Sequence, residues 1–409
     1  MDIGFAEALL LLGLLLVIAA ALSGWLHGTV LSISVLSVVA GVALALTGVV
    51  EADPGAEIVV LLVELALILT LFSDGLFVEG ELLRAHWGPP ARALVVAMPL
   101  TLVFLALCGK ALFPELTWAE AFLLGAVLSP TDPVVTSAVV TAERVPRVIR
   151  HTLNLESGLN DGLALPFVLF FLVLATAGDA VREGLNLAGE AIVGAVLGVV
   201  LALLAGRALP RLPGGAMMHK YEGIYALGLG FIAFGLADFT YGNGLIAAFV
   251  AGIALAAARH EIPEAFVDFN ESVSAIFQVA TFFVFGALIV ATGWEGGVWP
   301  LLAFIAFALL VARPGAVLLS FVGVRMPLPH KLFIAWFGPK GVASMLFALL
   351  VLASGAPDRT LVFDVASFVI LASILAHGLT DTVGARWIER RLGSVGAQED
   401  GVREQVETA

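Results

Sequence analysis

Apolar stretches about as long as a bilayer is thick recur along this chain, separated by short polar breaks. That recurrence restricts the fold more than any motif does. A helix that crosses hydrocarbon needs about 20 mostly apolar residues. Cutting the sequence at clusters of charge, proline and glycine leaves thirteen such stretches, at residues 5–26, 28–50, 57–78, 91–113, 117–142, 149–177, 186–208, 220–238, 242–258, 269–292, 298–322, 332–354 and 361–385. Inside lipid every backbone donor and acceptor must be satisfied within the protein, so segments of this length are helices. The composition agrees: 60% of the 409 residues are hydrophobic and 13% are charged, against about 45–50% and about 25% in a soluble domain. The early charges of the first stretch, Asp2 and Glu7, are both negative. Lacking a positive leading region, the stretch reads as a membrane helix rather than a cleaved signal. The expected fold is an all-α polytopic membrane protein with about thirteen spans.

An odd number of spans puts the termini on opposite sides, and Lys/Arg asymmetry decides which. With the N-terminus outside, fifteen Lys/Arg residues fall in the inner loops and C-terminal tail and three, Lys110, Arg182 and Arg359, fall outside. The expectation is N-terminus out and C-terminus in the cytoplasm. Residues 1–385 read as one integral membrane domain, and 386–409 as a short polar tail without fixed structure. The net charge of −13 leaves no basic stripe for nucleic acid. A single cysteine, Cys108, and seven scattered histidines offer neither a disulfide nor a clustered metal site. No cofactor is expected, and no enzyme motif stands out.

Two spans are interrupted at their centres. Span 5 carries Ser129-Pro130-Thr131-Asp132-Pro133 and span 12 carries Gly338-Pro339-Lys340-Gly341. Each proline removes a backbone donor and clashes with the preceding turn. Irregular backbone at membrane depth is tolerated only where it is buried in protein or lines a cavity. One broken span in each half of the chain is the sequence pattern of an inverted-repeat transporter. With span 7 as a linker, spans 1–6 and 8–13 form two six-helix units in which span 5 matches span 12; the offset of seven, being odd, inverts them. Each break exposes one positive and one negative helix end. Asp132, also placed to cap its own second half-helix, complements positive ends, and Lys340 complements negative ends.

Span 6 contains Asn154-Leu155-Glu156-Ser157-Gly158-Leu159-Asn160-Asp161-Gly162. Ser157 and Asp161 are four apart and share a helix face, with Asn160 about 100° round. Gly158 and Gly162 would let a neighbouring backbone come close. Asp161, Ser157 and Asn160 then face the Thr131–Asp132 break, and their oxygens with freed carbonyls suit a hard monovalent cation such as Na⁺ or K⁺. A carboxylate that binds either a cation or a proton carries out antiport in its simplest form. Glu156, about 140° from Asp161, is assigned to a buried ion pair with Arg313, the always-charged, bidentate choice. In span 3, Glu64, Ser73 and Asp74 are second-tier candidates. His377 in span 13 reads as an ordinary polar residue near the cytoplasmic surface, with pH sensing as the alternative.

These motifs are similar to those of the monovalent cation:proton antiporter superfamily, in its NhaP-like sodium/proton antiporter branch. The similarity is carried by LSPTDPVVTSAV, LNLESGLNDGLALPFVLFF, LILTLFSDGL, FFVFGALI, VARPGAV and FGPKGVAS, which follow one another in that order along most of the chain. It implies an NhaA/NhaP-like fold with crossed, unwound helices 5 and 12, a core domain of spans 3–6 and 10–13, and a dimerisation scaffold from the rest. It implies a homodimer in a plasma membrane, an elevator-like alternating access and a role in pH homeostasis. Asp161 would bind cation and proton, with Thr131, Asp132, Ser157 and Asn160 lining the site and Glu156–Arg313 forming the core salt bridge. The Asn160-Asp161 pair implies one-for-one, electroneutral exchange, with Na⁺ ahead of K⁺ or Li⁺. Lys340 departs from the arginine common in relatives. A sodium-coupled solute symporter on the same plan is the alternative. An intramembrane aspartyl protease is disfavoured, because Ala164-Leu165-Pro166 is in the wrong order for its motif and no GxGD is present.

Overall fold

The computed structural model describes residues 5–26, 33–76, 88–132, 145–176, 180–208, 221–258 and 264–407. Helices α1 (Phe5–Leu26), α2 (Ile33–Leu46) and α3 (Glu57–Leu76) open the chain. They are followed by α4 (Gly88–Leu112), α5 (Trp118–Val127), α6 (Arg147–Thr176) and α7 (Ala180–Ala208). The second half has α8 (Glu222–Phe239), α9 (Gly244–Ala258), α10 (Glu264–Thr292) and α11 (Val298–Ser320). It ends with α12 (Leu328–Trp336), α13 (Val342–Leu352) and α14 (Arg359–Glu407). No strand occurs among the described residues. Among the described residues, seven helices contain segments long and apolar enough to cross a bilayer, and shorter apolar helices lie between them.

Where helices meet, small residues set the spacing. α3 packs on α9, and α9 on α7. A Cβ at Gly75 would strike the carbonyl of Phe249, and one at Gly252 would strike that of Phe72. Both glycines are therefore needed for the two backbones to touch, the usual solution where lipid gives no hydrophobic drive for association. α4 packs on both α5 and α11, and α5 on α6. Two helices widen into π turns, α4 at Ala93–Ala97 and α11 at Ala308–Ala312. Each is followed closely by a proline, Pro99 or Pro314, whose ring would collide with the carbonyl four residues back. Widening the turn relieves that collision, and in α11 Arg313 directly follows the widened turn.

Residues 386–407 continue α14 rather than leaving it; this stretch holds no proline and several helix formers, Arg, Glu and Gln among them. The expected start of the second half of span 5 falls in 133–144, outside the described residues.

Candidate functional site

α5 begins with a capping box. Thr117 accepts from the Glu120 amide, and the Glu120 carboxylate accepts from the Thr117 amide and hydroxyl at 2.9 and 2.8 Å. The helix then stops at Val127, and Leu128–Asp132 run on as irregular, fully buried backbone. Span 12 is interrupted in the same way: α12 ends at Trp336, residues 337–341 are irregular and α13 starts at Val342.

The two irregular segments cross and satisfy one another. The Asp132 amide donates to the Pro339 carbonyl at 2.9 Å, and its carboxylate accepts from the Val342 amide at 3.0 Å. Lys340 Nζ donates to the carbonyls of Ser129 and Pro130 at 3.4 and 3.2 Å. Asp132 thus meets the positive end of α13, and Lys340 the negative end of α5. Each charge complements a dipole in the opposite span, whereas the sequence had set Asp132 against its own half-helix as well. The approach is so close that a Cβ on Gly341 would collide with the Asp132 carboxylate.

α6 lies against this crossing. The Asn160 amide nitrogen donates to the Thr131 carbonyl and hydroxyl at 3.0 and 2.7 Å. A carbonyl oxygen only accepts, which fixes which end of the amide faces it. The donors of Asn160 therefore hold the break in shape, and its oxygen is the atom left for a ligand. Asp161 and Ser157 are both buried on the face of α6 that Ser157 begins. The Asp161 carboxyl lies within hydrogen-bonding reach of Asp74 on α3, with Asp132 and Lys340 the other charges acting on it. Of the three candidates on α3, Asp74 is thus the one brought to Asp161. Ser73 is buried beside it, and Glu64 lies ten residues earlier, about 15 Å along the helix.

Asp161 Oδ1 and Asp74 Oδ2 are buried without a hydrogen-bond partner among the described residues, as are Oδ1 of Asn160 and Oγ of Ser73, their neighbours in sequence. Buried polar atoms are nearly always satisfied. Carboxylate, amide and hydroxyl oxygens are the ligand types a hard cation takes, and two carboxyls within hydrogen-bonding reach can share a proton.

Glu156 points away from this cluster. Its carboxylate takes both Arg313 Nη atoms, at 2.6 and 3.1 Å, with the two side chains only 2% and 6% exposed. Gly338 lies under the guanidinium so closely that a Cβ would run into it. The glycines of α6 act differently from expectation. Gly162 faces the ring of Phe249 rather than a backbone, and Gly158 has nothing within 4 Å. The sequence gives their positions but not which neighbour stands opposite.

His377 also departs from its sequence reading as a near-surface residue. It is buried, with Nδ1 2.7 Å from the Ser373 carbonyl and Nε2 2.8 Å from the Trp336 carbonyl. Ser373, which sequence reasoning passed over, accepts from the Lys340 amide at 2.9 Å. The only signal in the sequence was the four-residue spacing of Ser373 and His377 on a helix expected to neighbour span 12.

Comparison with known proteins agrees with this geometry. The family described as "Sodium/hydrogen exchanger, transmembrane" matches residues 12–384. The K(+)/H(+) antiporter NhaP of Alkalimonas amylolytica is 25% identical over 337 residues, 81% of this chain and 58% of that protein. The Na(+)/H(+) antiporter 2 of Zygosaccharomyces rouxii is 27% identical over 311 residues, 69% of this chain and 37% of that protein. The chain therefore spans little more than half the length of such relatives at most. In fold it is similar to the sodium proton antiporter MjNhaP1 from Methanocaldococcus jannaschii, with a TM-score of 0.78, 22% identity and coverage of 94% of this chain and 97% of that one.

Proposed function

Because the chain belongs to the sodium/hydrogen exchanger family, integral membrane exchangers rather than enzymes, we propose that it is a secondary antiporter that trades a monovalent cation for a proton at Asp161. The observation that carries this reading is the pair of carboxyls on α6 and α3, Asp161 and Asp74, whose buried oxygens lack partners beside the crossing of two broken helices. Two carboxylates this close to one another need either a shared proton or a cation between them. The two ligands exclude each other, and that exclusion is the exchange.

The same pair accounts for stoichiometry. Two carboxylates and one Na⁺ or K⁺ sum to −1, and two carboxylates and one proton also sum to −1. Swapping the ligands leaves the site's charge unchanged, so the cycle is one for one and does not feel the membrane potential, worth about 2.3 kcal/mol per charge per 100 mV. Ser157 and Thr131 contribute hydroxyl oxygens, and Asn160 holds Thr131 and offers its own oxygen. Asp132 and Lys340 keep the crossing electrically balanced, and Glu156–Arg313 holds α6 to α11. Sodium and potassium both suit this all-oxygen set, as the differing cations in the relatives' names also suggest.

The wider architecture we propose has thirteen spans in two inverted six-helix repeats, with the N-terminus outside and the C-terminus cytoplasmic. Spans 3–6 and 10–13 form a core that moves like an elevator against a scaffold through which two copies pair as a homodimer. The test is cation-induced dissipation of a pH gradient in proteoliposomes, with and without an imposed voltage, for Li⁺, Na⁺ and K⁺. Exchange is expected with at least one cation, insensitive to voltage, and lost in Asp161→Asn. Undiminished exchange in that variant, or no response to any monovalent cation, refutes the reading.

A further inference from the structure

His377 and Ser373 on α14 are tied to the span-12 break more tightly than the exchange mechanism so far requires. We propose that His377 is a positioning residue: with Ser373 it clamps both ends of the 337–341 break to α14, and a second proton on its imidazole tightens the clamp.

The geometry of the ring carries the argument. Its two nitrogens lie 2.7 Å from the Ser373 carbonyl and 2.8 Å from the Trp336 carbonyl. A carbonyl oxygen can only accept, and a neutral imidazole has one N–H. In the neutral ring one of these contacts is therefore a lone pair against an oxygen; the imidazolium makes both into hydrogen bonds. The ring cannot easily turn to escape the mismatch. The Trp336 indole stacks on it at 5.0 Å between centroids and is itself fixed by donating to Thr380 Oγ1 at 2.9 Å. The Trp336 carbonyl also closes the C-terminal end of α12, where the helix dipole favours a cation.

The grip extends across the break. Ser373 Oγ lies 3.2 Å from His377 Nδ1 and accepts the Lys340 amide at 2.9 Å. One turn of α14 therefore holds Trp336 at one end of the break and Lys340 at the other. The Lys340 ammonium in turn closes the break in span 5. The charged groups facing the ring are Lys340 from the break and Arg313 from α11, with Asp381 one turn further along α14 itself. Loss of the second proton removes one of the two bonds by which the ring holds the Ser373 and Trp336 carbonyls, and the break loosens on α14 without any change in the cation ligands.

The test compares wild type with His377→Gln, whose amide has donors only at its nitrogen and an acceptor only at its oxygen, and so, like the neutral ring, cannot donate from both ends. Hydrogen–deuterium exchange of the amides of Phe337, Gly338, Lys340 and Gly341 is followed in nanodiscs at about pH 4 and about pH 8.5. At the acid pH the variant is expected to exchange about tenfold faster, the equivalent of one hydrogen bond, and at the alkaline pH the two should agree. Proteoliposome exchange rates should diverge over the same interval. That second readout rests on the antiport reading, and the first does not: if neither protein transports, antiport fails while the amides still decide the clamp. A variant-to-wild-type ratio that is constant across pH, or equal to one throughout, overturns the proposal. Should His377→Gln not fold, nitrogen-15 spectra of wild-type histidine read the ring directly; a His377 ring that gains no second proton down to about pH 4 overturns it as well.

Discussion

Removing either partner of the Glu156–Arg313 pair tests what holds α6 in place. Both side chains are almost fully buried, and both carboxylate oxygens are taken by guanidinium nitrogens at 2.6 and 3.1 Å. At a charge separation of about 4 Å and an effective dielectric of about 20, the attraction is about 4 kcal/mol. Much of it offsets the cost of taking two ions out of water, so the pair contributes little relative to an apolar pair of similar volume. Breaking it is a different matter. Arg313→Ala leaves the Glu156 carboxylate buried with neither of its donors, an expected cost of about 3–5 kcal/mol. The cavity above Gly338, against which the guanidinium lies, adds to that cost.

The assay is a double-mutant cycle on unfolding in detergent, with Arg313→Met, Glu156→Leu and the double variant. Each single change should destabilise by several kcal/mol. The double change should recover most of the loss, giving a coupling energy of at least about 2 kcal/mol. Apparent cation affinity should stay within about threefold in the double variant, less than the effect of one lost hydrogen bond, because neither residue touches the Asp161 cluster. A coupling below about 0.5 kcal/mol, the ordinary limit of additivity, would refute the reasoning. So would a loss of cation affinity as large as the loss of stability.

Gly341→Ala drives a methyl group into the Asp132 carboxylate and is expected to cost about 1–3 kcal/mol as overpacking and to abolish exchange in proteoliposomes. Gly158→Ala, whose Cβ meets nothing within 4 Å, should fold and transport as wild type; equal effects at the two positions would contradict the crossing geometry. Asp74→Asn removes one of the two facing carboxyls; the remaining one sums to zero with a cation or with a proton, so any remaining exchange should stay insensitive to an imposed voltage while apparent cation affinity falls about tenfold or more; an unchanged affinity would exclude Asp74 from the site. At the start of α14, burial first, and then the carboxylates of Glu120 and Glu115, hold the Asp358 carboxyl above its ordinary value. A raised acid stabilises the fold while protonated, and that contribution is lost as pH rises through the folded value. Asp358→Asn should therefore be more stable than wild type at neutral pH, by no more than about 1 kcal/mol once solvent screening is allowed for. Melting curves of the two should converge in acid.

What could be read from the sequence was whatever depends on covalent geometry. Proline and glycine at 130, 133, 338, 339 and 341 mark the two breaks because their effect on a helix needs no neighbour. The residue types at 156, 161, 313 and 340 follow from the cost of charge in lipid. What stayed hidden was lateral. Glu64 and Asp74 both looked available on span 3. They stand ten residues apart, about 280° round the helix, and only the packing of α3 decides which carboxyl meets α6. Gly158 and Gly162 read alike, yet one faces a phenylalanine ring and the other open space. His377 read as a surface residue because span ends are uncertain by several residues. Its burial depends on α12 ending beside it.

The crossing also bears on the proposed elevator movement, in which the two breaks would have to travel as one part. Each break frees backbone groups that a bilayer cannot satisfy, and leaving one unpaired costs about 1–3 kcal/mol. The carbonyls of Ser129 and Pro130 are met by Lys340, the Pro339 carbonyl by the Asp132 amide, and the Val342 amide by the Asp132 carboxylate. Thr131 is held by Asn160, next in sequence to Asp161. Neither break keeps these groups satisfied without the other. Separating them would leave several buried groups unpaired at once, a cost approaching the whole stability of an ordinary domain. A change of access that pulled α5 away from α12 and α13 would therefore be blocked. One that carried them together with α6, Asp161 and its ligand past the remaining helices would break none of these bonds.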